Sequence, residues 1–152
     1  MKKIISLTTL LLSSTGLAAV SNGQKFDTWT AVCEKGQCAV VQVQNTKDGV
    51  PVGRVFIHKP KQTKNRPVMV FTVPLGVNLH AQLGIAVDTK QIARVPFDFC
   101  NQDGCSVAIP LEGQIMQKIR AGKNMQVAAF VADKQQTLVF SLKGISKAID
   151  SL

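Results

Sequence analysis

Ala93-Arg94-Val95-Pro96-Phe97-Asp98-Phe99-Cys100-Asn101-Gln102-Asp103-Gly104-Cys105-Ser106-Val107-Ala108-Ile109-Pro110 places two apolar, strand-like runs around a polar tip, with a cysteine at each edge of the tip. Asp103-Gly104 is a turn dipeptide, because glycine accepts positive φ without a Cβ clash and aspartate bonds its own backbone. The stretch therefore reads as a β-hairpin clamped by Cys100 and Cys105. Thr30-Ala31-Val32-Cys33, Glu34-Lys35-Gly36-Gln37 and Cys38-Ala39-Val40-Val41 repeat the device. Two C-x4-C hairpins define the scaffold without saying what it does.

The chain around them has 152 residues, 45% of them hydrophobic and 18% charged, which fits one globular domain with its own core. The formal net charge of +9 favours anionic partners such as lipid headgroups or acidic envelope polymers, or serves solubility alone. Lys2 and Lys3, the uncharged apolar run Ile4 to Leu17 and the small residues Gly16-Leu17-Ala18 form a Sec-type leader pattern. Residues 1–18 are expected to be a removed signal peptide, 19–25 a flexible N-terminus, and 26–152 a single β domain. Removal takes two lysines with it and lowers the charge to +7. After it no transmembrane span is expected, and no cysteine near the cleavage region supplies a lipoprotein anchor.

Export decides how four cysteines are read. In an oxidising compartment an even count fits two disulfides. Three connectivities exist on paper, and Cys33–Cys38 with Cys100–Cys105 is preferred because each pair flanks a turn. A structural zinc site competes for the same residues, but its spacers are usually shorter and export argues against it. Neither pair resembles the C-x-x-C of thiol redox catalysts.

Between the hairpins the chain is strand-rich. Phe26–Cys33 reads as the first strand, with Trp29 as a core anchor. Cys38–Gln44 returns with Ala39, Val41 and Val43 on one face and Val40, Gln42 and Gln44 on the other. Val52–His58 and Val68–Val73 follow, the latter apolar on both faces like an interior strand. Ile85–Asp88, Ile92–Phe97, Gln126–Ala132 and Thr137–Leu142 are further strands. Leu111, Ile115, Met116 and Ile119 share a helical face that ends at Gly122, and Ser141–Ile149 reads as a short closing helix. The expected fold is mainly β: an antiparallel, jelly-roll-like β-sandwich with two short helices and two hairpin disulfides.

Lys59-Pro60-Lys61-Gln62-Thr63-Lys64-Asn65-Arg66-Pro67 is the strongest charge run, with four cations, no acids and two prolines. It reads as a solvated loop or as an anion-facing contact through Lys59, Lys61, Lys64 and Arg66. Without interleaved aromatics or a reading motif, nucleic acid is not expected. No nucleophile triad, phosphate loop, dinucleotide fingerprint or metal-ligand cluster is visible, and His58 and His80 stand alone. No enzyme, catalytic residue, metal or cofactor is expected, although carboxylates paired only by folding would escape this reading.

Taken together these landmarks resemble the invasion-associated locus B family of exported bacterial proteins. The resemblance is carried by Phe26 and Trp29 before Cys33, Cys38 leading to Val41-Gln42, Val73-Pro74-Leu75-Gly76-Val77, and Gly84 with Asp88. It continues through Pro96-Phe97 before Cys100, Gly104-Cys105, and Ser141-Leu142-Lys143-Gly144. Phe-Asp-Thr-Trp stands where the family usually has Phe-Gly-Asp-Trp, and Ile145 where an aromatic is common. The resemblance implies a non-enzymatic envelope or secreted binding protein, periplasmic or outer-membrane-associated, linked to invasion of host cells; the basic loop adds the expectation of an anionic envelope or host-surface component as its partner. A periplasmic envelope-maintenance factor without a host partner is the first alternative, and a hydrolase or thiol oxidoreductase the second.

Overall fold

A computed structural model describes residues 20–152. The leader expected over residues 1–18 lies outside the described residues.

Among the described residues eleven strands form two antiparallel sheets. The larger takes β1 (Lys25–Phe26), β2 (Trp29–Glu34), β3 (Gln37–Asn45), β4 (Pro51–His58) and β5 (Val68–Val73) as a meander. β9 (Gly104–Pro110) and β8 (Phe99–Asn101) extend it beyond β5. The smaller sheet has the order β11 (Lys134–Ser141), β10 (Asn124–Val131), β6 (Leu83–Val87), β7 (Lys90–Val95). Helices α1 (Gly113–Ala121) and α2 (Ile145–Ser151) add Ile119, Ile145, Ala148 and Ile149 to a single core shared by both sheets. The mainly β sandwich with two short helices is the architecture the sequence predicts.

Local chemistry explains the elements. β5 lies inside the larger sheet between β4 and β9, with Met69, Phe71 and Val73 in the core, as its two-sided apolar pattern predicts. Lys35 and Gly36 hold φ of 49° and 76°, the double left-handed turn that suits a two-residue hairpin. Cys33 faces Cys38 and Cys100 faces Cys105 across their hairpins, and both pairs are disulfides.

Three details differ from the sequence reading, the first being that the closing helix expected over Ser141–Ile149 starts only at Ile145, because Ser141 still pairs in β11. In the second cysteine hairpin the turn is Gln102–Asp103, shaped by Asn101 Oδ1 accepting from the Asp103 amide at 2.9 Å. Gly104 instead begins β9 with φ 135°, and a Cβ there would lie 2.2 Å from the Val73 carbonyl oxygen. The expected first strand, Phe26–Cys33, is broken at Asp27-Thr28, where Asp27 adopts φ 56°. Gly144 nests in that break, since a Cβ on it would meet the Phe26 carbonyl oxygen at 2.2 Å. The left-handed backbone at position 27 also accounts for the glycine usual there in the resembled family.

β3 turns its glutamine face inward. Val40 and Gln42 are buried, whereas Val43 is 45% exposed. Gln42 Nε2 donates to the Ser141 carbonyl at 2.9 Å, and its Oε1 accepts from the Ser141 amide at 2.9 Å. The Trp29 indole N–H donates to the same carbonyl at 3.1 Å. Gln42 is thus a polar member of an otherwise apolar inner face, and it joins the two sheets through hydrogen bonds beside the aliphatic packing.

Candidate functional site

The register of the larger sheet sets what meets at its ends. Ala39 pairs with His58 and Val68 with Pro110, so the β2–β3 turn, the β4–β5 connection and the entrance to α1 share one end. The basic loop is that β4–β5 connection. Pro60 and Pro67 bracket it, a 3-10 turn spans Lys61–Thr63, and Lys64 and Asn65 hold left-handed φ of 54° and 59°. The Thr63 hydroxyl lies 2.8 Å from the carbonyl oxygens of both Pro60 and Arg66, and the Leu111 amide donates to the Pro67 carbonyl at 2.9 Å. The loop thus has a defined shape despite lacking strand pairing.

Its four cations do not form one patch. Arg66 Nη1 is 2.9 Å from Glu112 Oε2, and its Nε donates to the Thr63 carbonyl at 3.2 Å, so this charge is turned to the start of α1 and paired. Lys59 and Lys61 line an open basin of about 850 Å³ across the end of the sheet. Lys64 is exposed outside that basin. Lys35, from the β2–β3 turn, joins Lys59 and Lys61 on the basin wall, and Glu34 is an acidic neighbour there.

Lys35 is the member the sequence reading missed. Its signal was the hairpin register, which carries residues 35–36 to the end where residues 59–67 lie. Phe56 and His58 form the basin's aromatic side, with ring centroids 5.5 Å apart at 54°. Burial lowers the His58 pKa below its ordinary 6.5, which favours the neutral imidazole. His80 lies far along the chain on a short 3-10 turn at Leu79–Ala81 and does not line this basin.

All four cysteines are in disulfides. Among the described residues no three or more His, Cys, Asp or Glu side chains gather as a metal site, and no helix is long and apolar enough to cross a membrane.

Apart from Cys38, which lines the basin, the residues that carry the family resemblance sit elsewhere, and their contacts are structural. Trp29, Gln42 and Ser141 make the hydrogen-bonded joint between the sheets, and Gly144 packs on Phe26. Gly104 packs on Val73. The Asp88 carboxylate accepts from the amides of Lys123 at 3.0 Å and Asn124 at 2.9 Å, which fixes the passage from α1 into β10.

No curated protein matches the chain. The crystal structure of invasion associated protein b from Bartonella henselae is similar in fold, with a TM-score of 0.77 at 20% identity, covering 86% of this chain and 94% of that one. The family described as invasion associated locus B (IalB) protein matches residues 29–152. With the match running from the Trp29 joint through the closing helix, the chain belongs to the invasion associated locus B family.

Proposed function

We propose that the protein is an exported, non-enzymatic binding protein that meets an anionic component of the bacterial envelope or of a host-cell surface through its basic loop. The observation that carries this reading is the convergence of Lys35, Lys59 and Lys61 on one open basin. Cations gathered on a concave surface raise the local concentration of anionic partners and speed their capture. The names of the family and of its Bartonella henselae relative support placing the contact at the boundary with a host cell.

Retention of the mature protein on immobilised heparin, a model polyanion, tests the reading. Lys59→Gln with Lys61→Gln is expected to elute at clearly lower salt, because each lost cation removes a screened attraction. Arg66→Gln with Glu112→Gln, which removes the ion pair without changing the net charge, is expected to elute with the native protein. Equal elution of all three proteins would overturn the assignment of the loop. Protease treatment of intact producing cells addresses placement: digestion from outside, or release into the medium, supports surface contact. Complete protection favours the envelope-maintenance role instead.

A further inference from the structure

The side of the larger sheet turned away from the core is apolar over most of its width. Register aligns Val41, Phe56, Val70 and Ala108 in one row across β3, β4, β5 and β9. Val32 and Val43 flank that row at 50% and 45% exposure, and Phe99 on β8 is 58% exposed. Neither helix covers this side, because the buried residues of α1 and α2 belong to the core. Patches of this kind, distinct from scattered single apolar residues, mark interaction surfaces.

The charges around the patch are mainly basic, with Asp98, which accepts from the Ala108 amide at 2.7 Å, and Asp150 near Lys59 as acidic neighbours. Lys35, Lys59 and Lys61 stand at one end of the strands, and Lys25 on β1 and Arg54 on β4 occupy positions on the same side as Thr30 and Thr72. Glu34 is the single acidic residue at an outward strand position, and Asp103 lies 4.0 Å from Arg54 at the opposite end.

We infer that this face docks on an anionic phospholipid bilayer, with Val32, Val43 and Phe99 entering the headgroup boundary and Lys35, Lys59 and Lys61 meeting lipid phosphates. The inference rests on the anionic-contact reading of Lys59 and Lys61 and adds the apolar face to it. The two surface properties together select the occupant. A soluble polyanion satisfies the lysines but leaves the valines and phenylalanine in water. A second copy of this chain covers the apolar row but brings two basic rims and two strongly positive proteins together. An anionic bilayer supplies negative charge and a boundary into which apolar side chains partition.

Co-sedimentation of the mature protein with vesicles tests it. Binding is expected to vesicles of mixed phosphatidylcholine and phosphatidylglycerol, and not to phosphatidylcholine alone. Lys59→Gln with Lys61→Gln should bind the mixed vesicles about thirtyfold more weakly, from two lysines lost near the surface. Val32→Asn with Val43→Asn, which change no charge, should lose about tenfold or more yet keep native elution from heparin, which separates the apolar face from the basic loop. An environment-sensitive dye on Val43→Cys should shift to the blue on the mixed vesicles, whereas the same dye on Thr137→Cys, exposed on β11 of the other sheet, should not. That pair reads docking without relying on a charged substitution.

Heparin retention with no vesicle binding, or equal dye shifts at both positions, would overturn the docking and leave the basic loop standing. Loss of heparin retention and vesicle binding alike would overturn both readings. A dimer in sedimentation velocity that Val32→Asn with Val43→Asn dissociates would assign the face to a second copy.

Discussion

Gln42 carries a carboxamide into a sheet interior built of valine, alanine and isoleucine, where each of its polar atoms has a partner. Replacing it with leucine keeps the volume but leaves the Ser141 amide without its acceptor. The Ser141 carbonyl keeps the Trp29 indole. Gln42→Leu should therefore lower unfolding free energy by about 2 kcal/mol, the cost of one orphaned buried donor, measured by urea denaturation. An unchanged midpoint would mean that the joint between the sheets is made by packing alone. Gly104 is the harsher position. Its φ of 135° suits glycine, and the atom 2.2 Å from an added Cβ is a backbone oxygen of the neighbouring strand, which has no rotamer to adopt. Gly104→Ala should cost roughly 2–4 kcal/mol. Gly36→Ala, also left-handed but with nothing within 4 Å, should cost only about 1 kcal/mol, and a reversed order would refute this ranking.

At the level of elements, strands and hairpins were readable because each obeys a local rule. Val68–Val73 is apolar on both faces and becomes an interior strand, and two C-x4-C turns become two clamped hairpins. Closing so short a loop removes little chain entropy, so Cys33→Ala with Cys38→Ala should cost about 2 kcal/mol, and the second pair about the same. Matched thermal melts of the two double variants check this. A much larger loss at Cys100–Cys105 would show that the second disulfide holds β8 to the sheet rather than merely restricting the unfolded chain. What could not be read depends on partners distant in sequence. Alternation separates Val41 and Val43 from Gln42 and Gln44, but only the contact with Ser141 on β11 decides that the glutamines face inward. The break at Asp27 follows from Gly144 packing more than a hundred residues away. The basic loop was visible as a run of charge. Its division was not, since Glu112 withdraws Arg66 and sheet register adds Lys35.

For the whole molecule, the family landmarks chiefly build the joint between the sheets and the hairpin contacts, while the basin and the apolar outer face take only Cys38 and Val41 from them. Stability should report this scaffold through its dependence on pH. Backbone amides of Asn124 and Lys123 lower the Asp88 pKa from 3.8, and the Arg120 side chain lowers that of Asp150. A carboxylate with a depressed folded pKa adds stability that is present above the unfolded value of 3.8 and is lost as pH falls through the folded one. Burial lowers the His58 pKa from 6.5, so between that value and its lower folded pKa the unfolded chain binds more protons. Stability therefore falls as pH drops through this interval. Thermal midpoints should accordingly decline in two stages, a shallow one beginning below about pH 6.5 and a steeper one below about pH 4. His58→Gln should remove the first stage while leaving the second. Asp88→Asn should lower the midpoint at neutral pH and flatten the acid limb, because its neutral amide presents a weaker acceptor to the same two backbone donors at every pH. A first stage that survives His58→Gln would assign the upper transition to another group, and an acid limb unchanged in Asp88→Asn would detach the α1–β10 passage from acid unfolding.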